Sequence, residues 1–258
     1  MLSNYQKFKQ LHYGQSLFVL PNAWNAKSAL IFQARQFPAV ATSSAAVANS
    51  LGYEDGEDMP FSDYLFVVNR ILSVIHVPLT VDIEMGYGTT TGEIYTNIQK
   101  LIELGVAGIN IEDSVINKSK RTLKEAKSFA KTIEYIKGKL EAQHLNLFIN
   151  IRCDTYLLNA ENKQQETVNR IKIYETTGAD GIFLPCINSE IDIAEAVSNT
   201  KLPVSVMCIP GLPGFATLNK LGVKRASMGP FMFSKVYDSI SKLSEIIIAD
   251  ENFSSILS

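Results

Sequence analysis

Residues 78–88 read PLTVDIEMGYG, residues 105–114 read GVAGINIEDS, and residues 147–154 read LFINIRCD. Each is a short run rich in β-branched residues that becomes polar toward its C-terminal end. Strand side chains alternate between two faces, so residues two apart share one. On that rule Asp82 lies with Glu84, Asn110 with Glu112, and Asn150 with Arg152 and Asp154. Five further runs of this kind occur, at Leu17–Pro21, Ala39–Ser44, Gly181–Cys186, Pro203–Ile209 and Arg225–Gly229. With Pro78–Glu84, Ala107–Ser114 and Leu147–Asp154 they predict eight strands. Between them, segments such as Asn25–Gln36, Thr91–Leu104, Leu123–Leu140 and Glu166–Thr177 carry helical periodicity. The stretches LGVAG, TGADG and LGVKR each place a glycine where a helix ends and a strand begins.

Strands alternating with helices predict a parallel sheet with helices on its outer face. Eight such units in 258 residues predict closure into an α/β (β/α)8 TIM barrel, one domain over residues 1–258. No GxGxxG follows the first strand, which disfavours a dinucleotide-binding sheet. The tail, residues 231–258, reads as one terminal helix with a frayed end.

Composition narrows the function. The chain carries 24 basic and 26 acidic residues for a net charge of −2, and 46% of it is hydrophobic. No basic block interleaves with aromatics, so nucleic acid is not an expected partner. No apolar run approaches the length of a bilayer span, and no membrane partner is expected. The N-terminal stretch MLSNYQKFKQLHYGQ lacks a signal-peptide apolar core, and three dispersed cysteines, Cys153, Cys186 and Cys208, read as reduced, buried thiols. A cytoplasmic location is expected.

Barrel enzymes place their reacting groups at the C-terminal ends of the strands. Several unpaired carboxylates buried there would be costly. Arg152 neutralises one, and a hard divalent cation suits the rest. Oxygen ligands without nearby histidine or cysteine favour Mg2+ or Mn2+ over zinc. The alternative is a set of structural ion pairs across the barrel mouth. Ser43 and Ser44 end the second strand, where they serve an anion or cap a helix, a role Ser44 fits. Trp24 follows the first strand and is either a pocket wall or core. His12, His76 and His144 fall away from strand ends, against a Ser-His-Asp hydrolase. The loop Ser114–Leu123, within EDSVINKSKRTLK, holds the basic or hydroxylic residues Lys118, Ser119, Lys120 and Arg121, and is either a solvated charge run or a flexible lid that delivers a lysine to the site.

The chain resembles the isocitrate lyase / phosphoenolpyruvate mutase superfamily, closest to its short phosphoenolpyruvate mutase-like (carboxyphosphonoenolpyruvate phosphonomutase-like) branch. The resemblance runs through LPNAWNAKSA (20–29), FPAVATSSAAVANSLGYEDGE (37–57), PLTVDIEMGYG, GVAGINIEDS, FINIRCDTYL (148–157), YETTGADGIFLP (174–185) and VMCIPGLP (206–213), in order. It implies Asp82 as the direct Mg2+ ligand, with Asp55, Glu84 and Glu112 holding the metal's waters. It puts Ser43, Ser44 and Ala45 in the loop that binds an α-keto carboxylate, and Arg152 on the substrate carboxylate or migrating group. Lys118 falls on the family's loop lysine, but Lys120 stands where the lyases have their proton-donating cysteine, and Ser205 where many relatives have asparagine. The resemblance further implies a homo-oligomer, dimer or tetramer, with residues 231–258 swapped to a neighbour. The expected activity is metal-dependent cleavage or rearrangement of a C–C or P–C bond in a small 2-oxo or 2-hydroxy carboxylate or phosphonate. The alternative is a non-catalytic binder of an enolpyruvate-like metabolite. A phosphate-sugar barrel enzyme would need IPGLPG and SMGP to hold a phosphate, and GLPG is equally a turn.

Overall fold

In a computed structural model, described for residues 2–117 and 120–257, all eight expected strands form. They are β1 (Phe18–Leu20) with its continuation β2 (Asn22–Ala23), then β3 (Val40–Thr42), β4 (Leu79–Asp82) and β5 (Gly108–Glu112). After a hairpin of β6 (Ser114–Asn117) and β7 (Lys120–Leu123) come β8 (Phe148–Arg152), β9 (Gly181–Leu184), β10 (Val204–Met207) and β11 (Arg225–Ser227). The sheet order is β1-β11-β10-β9-β8-β5-β4-β3-β2, with every pair in it parallel.

The two ends of that order are one run interrupted by Pro21. Proline has no N–H to donate, so the ladder breaks there while the chain continues. Below the break Phe18–Leu20 pairs with Arg225–Ser227, and above it Asn22–Ala23 pairs with Ala41–Thr42. The fold is thus a TIM-type α/β barrel whose first strand touches both neighbours. Asn22 bridges the seam, because its Oδ1 accepts from the backbone N–H groups of Met228 (3.0 Å) and Gly229 (2.9 Å). Its Nδ2 donates to the Thr42 carbonyl at 2.8 Å.

Helices cover the outside. Thr91–Leu104 forms as expected: Thr90 and Glu93 make a reciprocal capping box, Gly105 ends the helix at φ 94°, and Ile94, Ile98 and Leu101 face the barrel. The expected helix from Leu123 instead begins at Ala126, because Lys120–Leu123 pairs antiparallel with Ser114–Asn117. The helix expected from Glu166 begins at Lys163. The C-terminal tail is one long helix whose end breaks into a turn and a short second helix. Phe231–Asp250 ends where Glu251 turns left-handed at φ 52°, and a short helix follows at Ser254–Leu257. Of Phe231–Asp250 only Phe233 is buried, while Phe231, Met232, Val236, Tyr237 and Ile240 are exposed.

Inside the barrel the core is mixed. Val81, Ile109, Ile149, Val206 and Ala226 pack outward against helices, while Thr80, Asn110, Asn150, Ser205 and Arg225 are buried polar residues on the alternate positions of the same strands. No helix among the described residues is long and apolar enough to cross a membrane.

Candidate active site

The C-terminal ends of β4, β5 and β8 bring Asp82, Glu112 and Arg152 together. Arg152 Nη1 lies 3.0 Å from Glu112 Oε2 and 3.8 Å from Asp82 Oδ2. Its Nε donates to Asp154 Oδ1 at 2.7 Å, and Nη2 to Oδ2 at 3.3 Å. Ser44 Oγ donates to Asp82 Oδ2 at 3.4 Å. Asp82, Arg152 and Ser44 border a cavity of about 430 Å3 that Ser43, Ala45, Asp55, Asn110 and Arg121 also line. The end of β4 is anchored from the side: Thr42 Oγ1 accepts from the Asp82 N–H, and Tyr64 Oη donates to the Asp82 carbonyl.

Strand alternation brings Asn110 and Glu112 to one face, as expected, but it does not bring Glu84 there. The strand ends at Asp82, and Glu84 reaches the site through a left-handed turn at φ 51°. Its Oε1 accepts from Tyr87 Oη at 3.0 Å, and its side chain is buried. Beneath Glu112, the neighbouring Asp113 points the other way, to the helical layer, and accepts from Arg170, Tyr174 and the Asp154 N–H.

The loop after β5 is a two-stranded hairpin where a flexible lid or a solvated run was expected. Arg121 turns from it into the site. Its Nη1 binds Glu112 Oε1 and Ser114 Oγ, lies 3.8 Å from Asp154 Oδ2, and its Nη2 lies 3.7 Å from Asp55. Sequence reasoning counted Arg121 only among the basic residues of the loop. The signal that finds it is pairing parity, since in an antiparallel hairpin starting at Ser114 alternate residues return to the face of the site. Lys118, the expected catalytic lysine, lies outside the described residues, and Lys120 is exposed.

Three expectations are corrected. Trp24 is not a wall of this cavity: its buried ring packs edge-on against Phe233 at 5.4 Å, beside the C-terminal helix. The helix cap is Ser43, which accepts from the Ala46 N–H, leaving the Ser44 hydroxyl for Asp82. Of the cysteines only Cys153 is buried, and Cys208 is exposed. His12 is a packing residue, stacked on Phe148 at 4.2 Å, and His76 and His144 are exposed.

The carboxylates are under electrostatic load. Burial pushes Glu84 up to about 8, with Asp55 and Asp82 adding to the shift. Burial also raises Asp82, against the pull of Arg152. For Arg152 burial acts downward, but Asp154 and Asp82 outweigh it and hold the guanidinium protonated. The linkage has a definite sign. From the ordinary carboxyl value of 4.5 up to about 8, native Glu84 keeps a proton that the unfolded chain has lost, so stability falls as pH rises through that window. Urea unfolding in EDTA is therefore expected to give lower stability at pH 8.5 than at pH 5. Added Mg2+ should shrink the difference, and a flat profile in EDTA would remove Glu84 from the loaded cluster.

A cation fits this donor set in one particular way. Asp82 Oδ1, Glu84 Oε2 and Glu112 Oε2 are buried without hydrogen-bond partners, although the last has Arg152 beside it. Among the described residues no three acidic, histidine or cysteine side chains are spaced to grip one ion directly. One direct carboxylate with others acting through water satisfies both observations, and the all-oxygen set suits a hard divalent ion.

Comparison with known proteins identifies the family. The family model described as phosphoenolpyruvate phosphomutase matches residues 8–248. An uncharacterized protein of Mycobacterium tuberculosis is 34% identical over 227 residues, covering 88% of this chain and 83% of that protein. The 2-methylisocitrate lyase of Shewanella oneidensis is 28% identical, over 77% of this chain and 68% of its own. Among solved structures, a phosphonomutase-like protein of Burkholderia cenocepacia superposes with a TM-score of 0.88 at 31% identity, covering 94% of this chain and 99% of that one.

Proposed function

Because the chain belongs to the phosphoenolpyruvate phosphomutase family of the isocitrate lyase / phosphoenolpyruvate mutase superfamily, we propose that it is a Mg2+-dependent lyase or phosphonomutase. Its substrate on this reading is a small 2-oxo or 2-hydroxy carboxylate or phosphonate, in which it breaks or moves a C–C or P–C bond. The observation that carries the proposal is the set of unpartnered carboxylate oxygens of Asp82, Glu84 and Glu112 beside an arginine at the mouth of the barrel.

Asp82 would hold the ion directly, and Asp55, Glu84 and Glu112 through water; Mn2+ has the same preferences. Bound there, the ion would supply stabilisation of negative charge developing on a substrate oxygen. The chain's own residues do the rest. Arg152 holds the substrate carboxylate, the Ser43–Ala45 segment frames it, and the hairpin keeps water out while Lys118 supplies the proton. The assay that tests this is turnover of a panel of 2-oxo acids and phosphonates with Mg2+, followed by product analysis. No turnover of any member, together with stabilisation by oxalate and Mg2+, would favour the second reading. That reading, a metabolite binder without a proton donor, is favoured by Lys120 in the place of the lyase cysteine.

Arg152→Lys separates a binding role from charge balance. The planar guanidinium reaches Asp154 with two nitrogens and Glu112 with the third, and an ammonium cannot span them. The variant is expected to weaken oxalate binding by at least about tenfold, roughly 1.4 kcal/mol. Unchanged affinity in calorimetry would leave Arg152 with only its carboxylates.

The proposal extends to assembly. The exposed apolar residues Phe231, Met232, Val236, Tyr237 and Ile240 of the C-terminal helix support a homo-oligomer, dimer or tetramer, in which this helix crosses to a neighbour.

A further inference from the structure

Arg225 is fully buried in the barrel interior on β11. Among the described residues no carboxylate comes within ion-pair distance of it. Its Nη2 lies 3.1 Å from Asn110 Oδ1, and its guanidinium sits over the Phe183 ring at 5.5 Å. The same Asn110 oxygen accepts from Asn150 Nδ2 at 2.9 Å. Asn150 owes its place to Gly181, where a Cβ would come within 2.7 Å of Asn150 Oδ1.

A guanidinium has five donors and no acceptor. The Asn110 atom facing Arg225 must therefore be the oxygen, because a flipped amide would set donor against donor. Two hydrogen bonds fill the two lone pairs of that oxygen. The amide nitrogen is left pointing the opposite way. Asn110 donates to no described protein group, and it lines the cavity with Asp82 and Arg152.

We infer that Asn110 is a specificity-determining residue, a fixed N–H donor for an anionic oxygen of the ligand, and that Arg225 is the positioning residue that fixes it. The inference rests on the metal-carboxylate reading of the site given above. A floor of this kind discriminates. A keto, enolate or carboxylate oxygen accepts the bond, while a hydroxyl that must donate finds no acceptor there. The charge of Arg225 holds the Asn110 oxygen toward it; desolvation brings its pKa down to about 9, so it stays a cation at neutral pH.

The test turns on Asn110→Asp. The acid keeps an oxygen for Arg225 and Asn150 but presents a second oxygen, not an N–H, to the cavity. Its Tm is expected at or above that of the wild type, with affinity for Mn2+ alone undiminished. Its affinity for oxalate with Mn2+, read by calorimetry, should fall by at least about tenfold. Asn110→Leu, which loses the acceptor, should lower Tm. Arg225→Met should weaken oxalate several-fold in the wild-type background and not at all in the Asn110→Asp background, the signature of action through Asn110. Wild-type oxalate affinity in Asn110→Asp overturns the donor role, and a full additional loss from Arg225→Met in that background overturns the positioning role. If the wild type binds no oxalate with metal, the metal-carboxylate reading and the donor role fall together. The anchoring still stands or falls on the Tm contrast between Asn110→Asp and Asn110→Leu, with equal Tm values overturning it.

Discussion

Asp82→Ala is expected to abolish the metal-dependent stabilisation of the protein by oxalate while leaving the metal-free protein as stable as before, or more so. The two halves have separate causes. Asp82 Oδ1 is buried without a hydrogen-bond partner, and Oδ2 has only a 3.4 Å contact from Ser44 and the Arg152 guanidinium at 3.8 Å. Burial and Asp55 both disfavour its charge, so removing it relieves the apo fold. The bonds that hold the strand end run from Thr42 and Tyr64 to the Asp82 backbone and survive the substitution. With ligand the balance reverses. Binding at a hundredfold over Kd stabilises a fold by about 2.7 kcal/mol, and loss of the direct ligand removes that increment. Thermal melts with oxalate in Mg2+ and in EDTA measure both halves. Equal oxalate stabilisation of the wild type in excess EDTA would sink the metal assignment.

A second large effect lies one residue beyond the site. Asp113→Ala is expected to cost about 3–5 kcal/mol of folding stability. Asp113 is fully buried, with Oδ2 accepting from Arg170 Nη1 at 3.0 Å and Tyr174 Oη at 2.7 Å, and Oδ1 from the Asp154 N–H at 2.9 Å. Deleting the carboxylate leaves the Arg170 guanidinium without its buried partner, though Glu166 still meets it at 2.7 Å on the exposed side. It also frees the backbone that carries Asp154, the residue gripping Arg152. Urea unfolding gives the cost. A loss under about 1 kcal/mol would mean that water replaces the acid without penalty, as it does at exposed pairs.

The barrel was legible because each strand carries its own signature. Eight β-branched runs separated by helical segments predict eight parallel strands, and a strand forms within each run. The site was legible where it sits inside strands: Glu112 and Arg152 fall on the expected face. It was not legible where the chain leaves the ladder. Glu84 arrives by a left-handed turn, which two-residue alternation cannot describe, and Arg121 arrives by a mostly half-buried hairpin whose short strands carry no regular apolar alternation. Trp24 misled for a related reason. Adjacency to a strand end says nothing about which way a large ring turns, and here Phe233 on the C-terminal helix claims it. The Asn110–Arg225 contact joins residues 115 apart, and no local pattern reports such a pair.

The seam at Asn22 also sets a clock. The groups that complete this side chain's hydrogen bonds, the Met228 and Gly229 N–H, lie 206 and 207 residues downstream, and the same gap separates Phe18–Leu20 from its partner strand. At synthesis rates of about 5–20 residues per second, that edge waits roughly 10–40 s for its neighbour to leave the ribosome. During that interval one flank of the first strand is an open template for any other extended chain. Ring closure is therefore the last and most non-local step of assembly, and the nascent chain depends through that interval on whatever shields an unpaired edge.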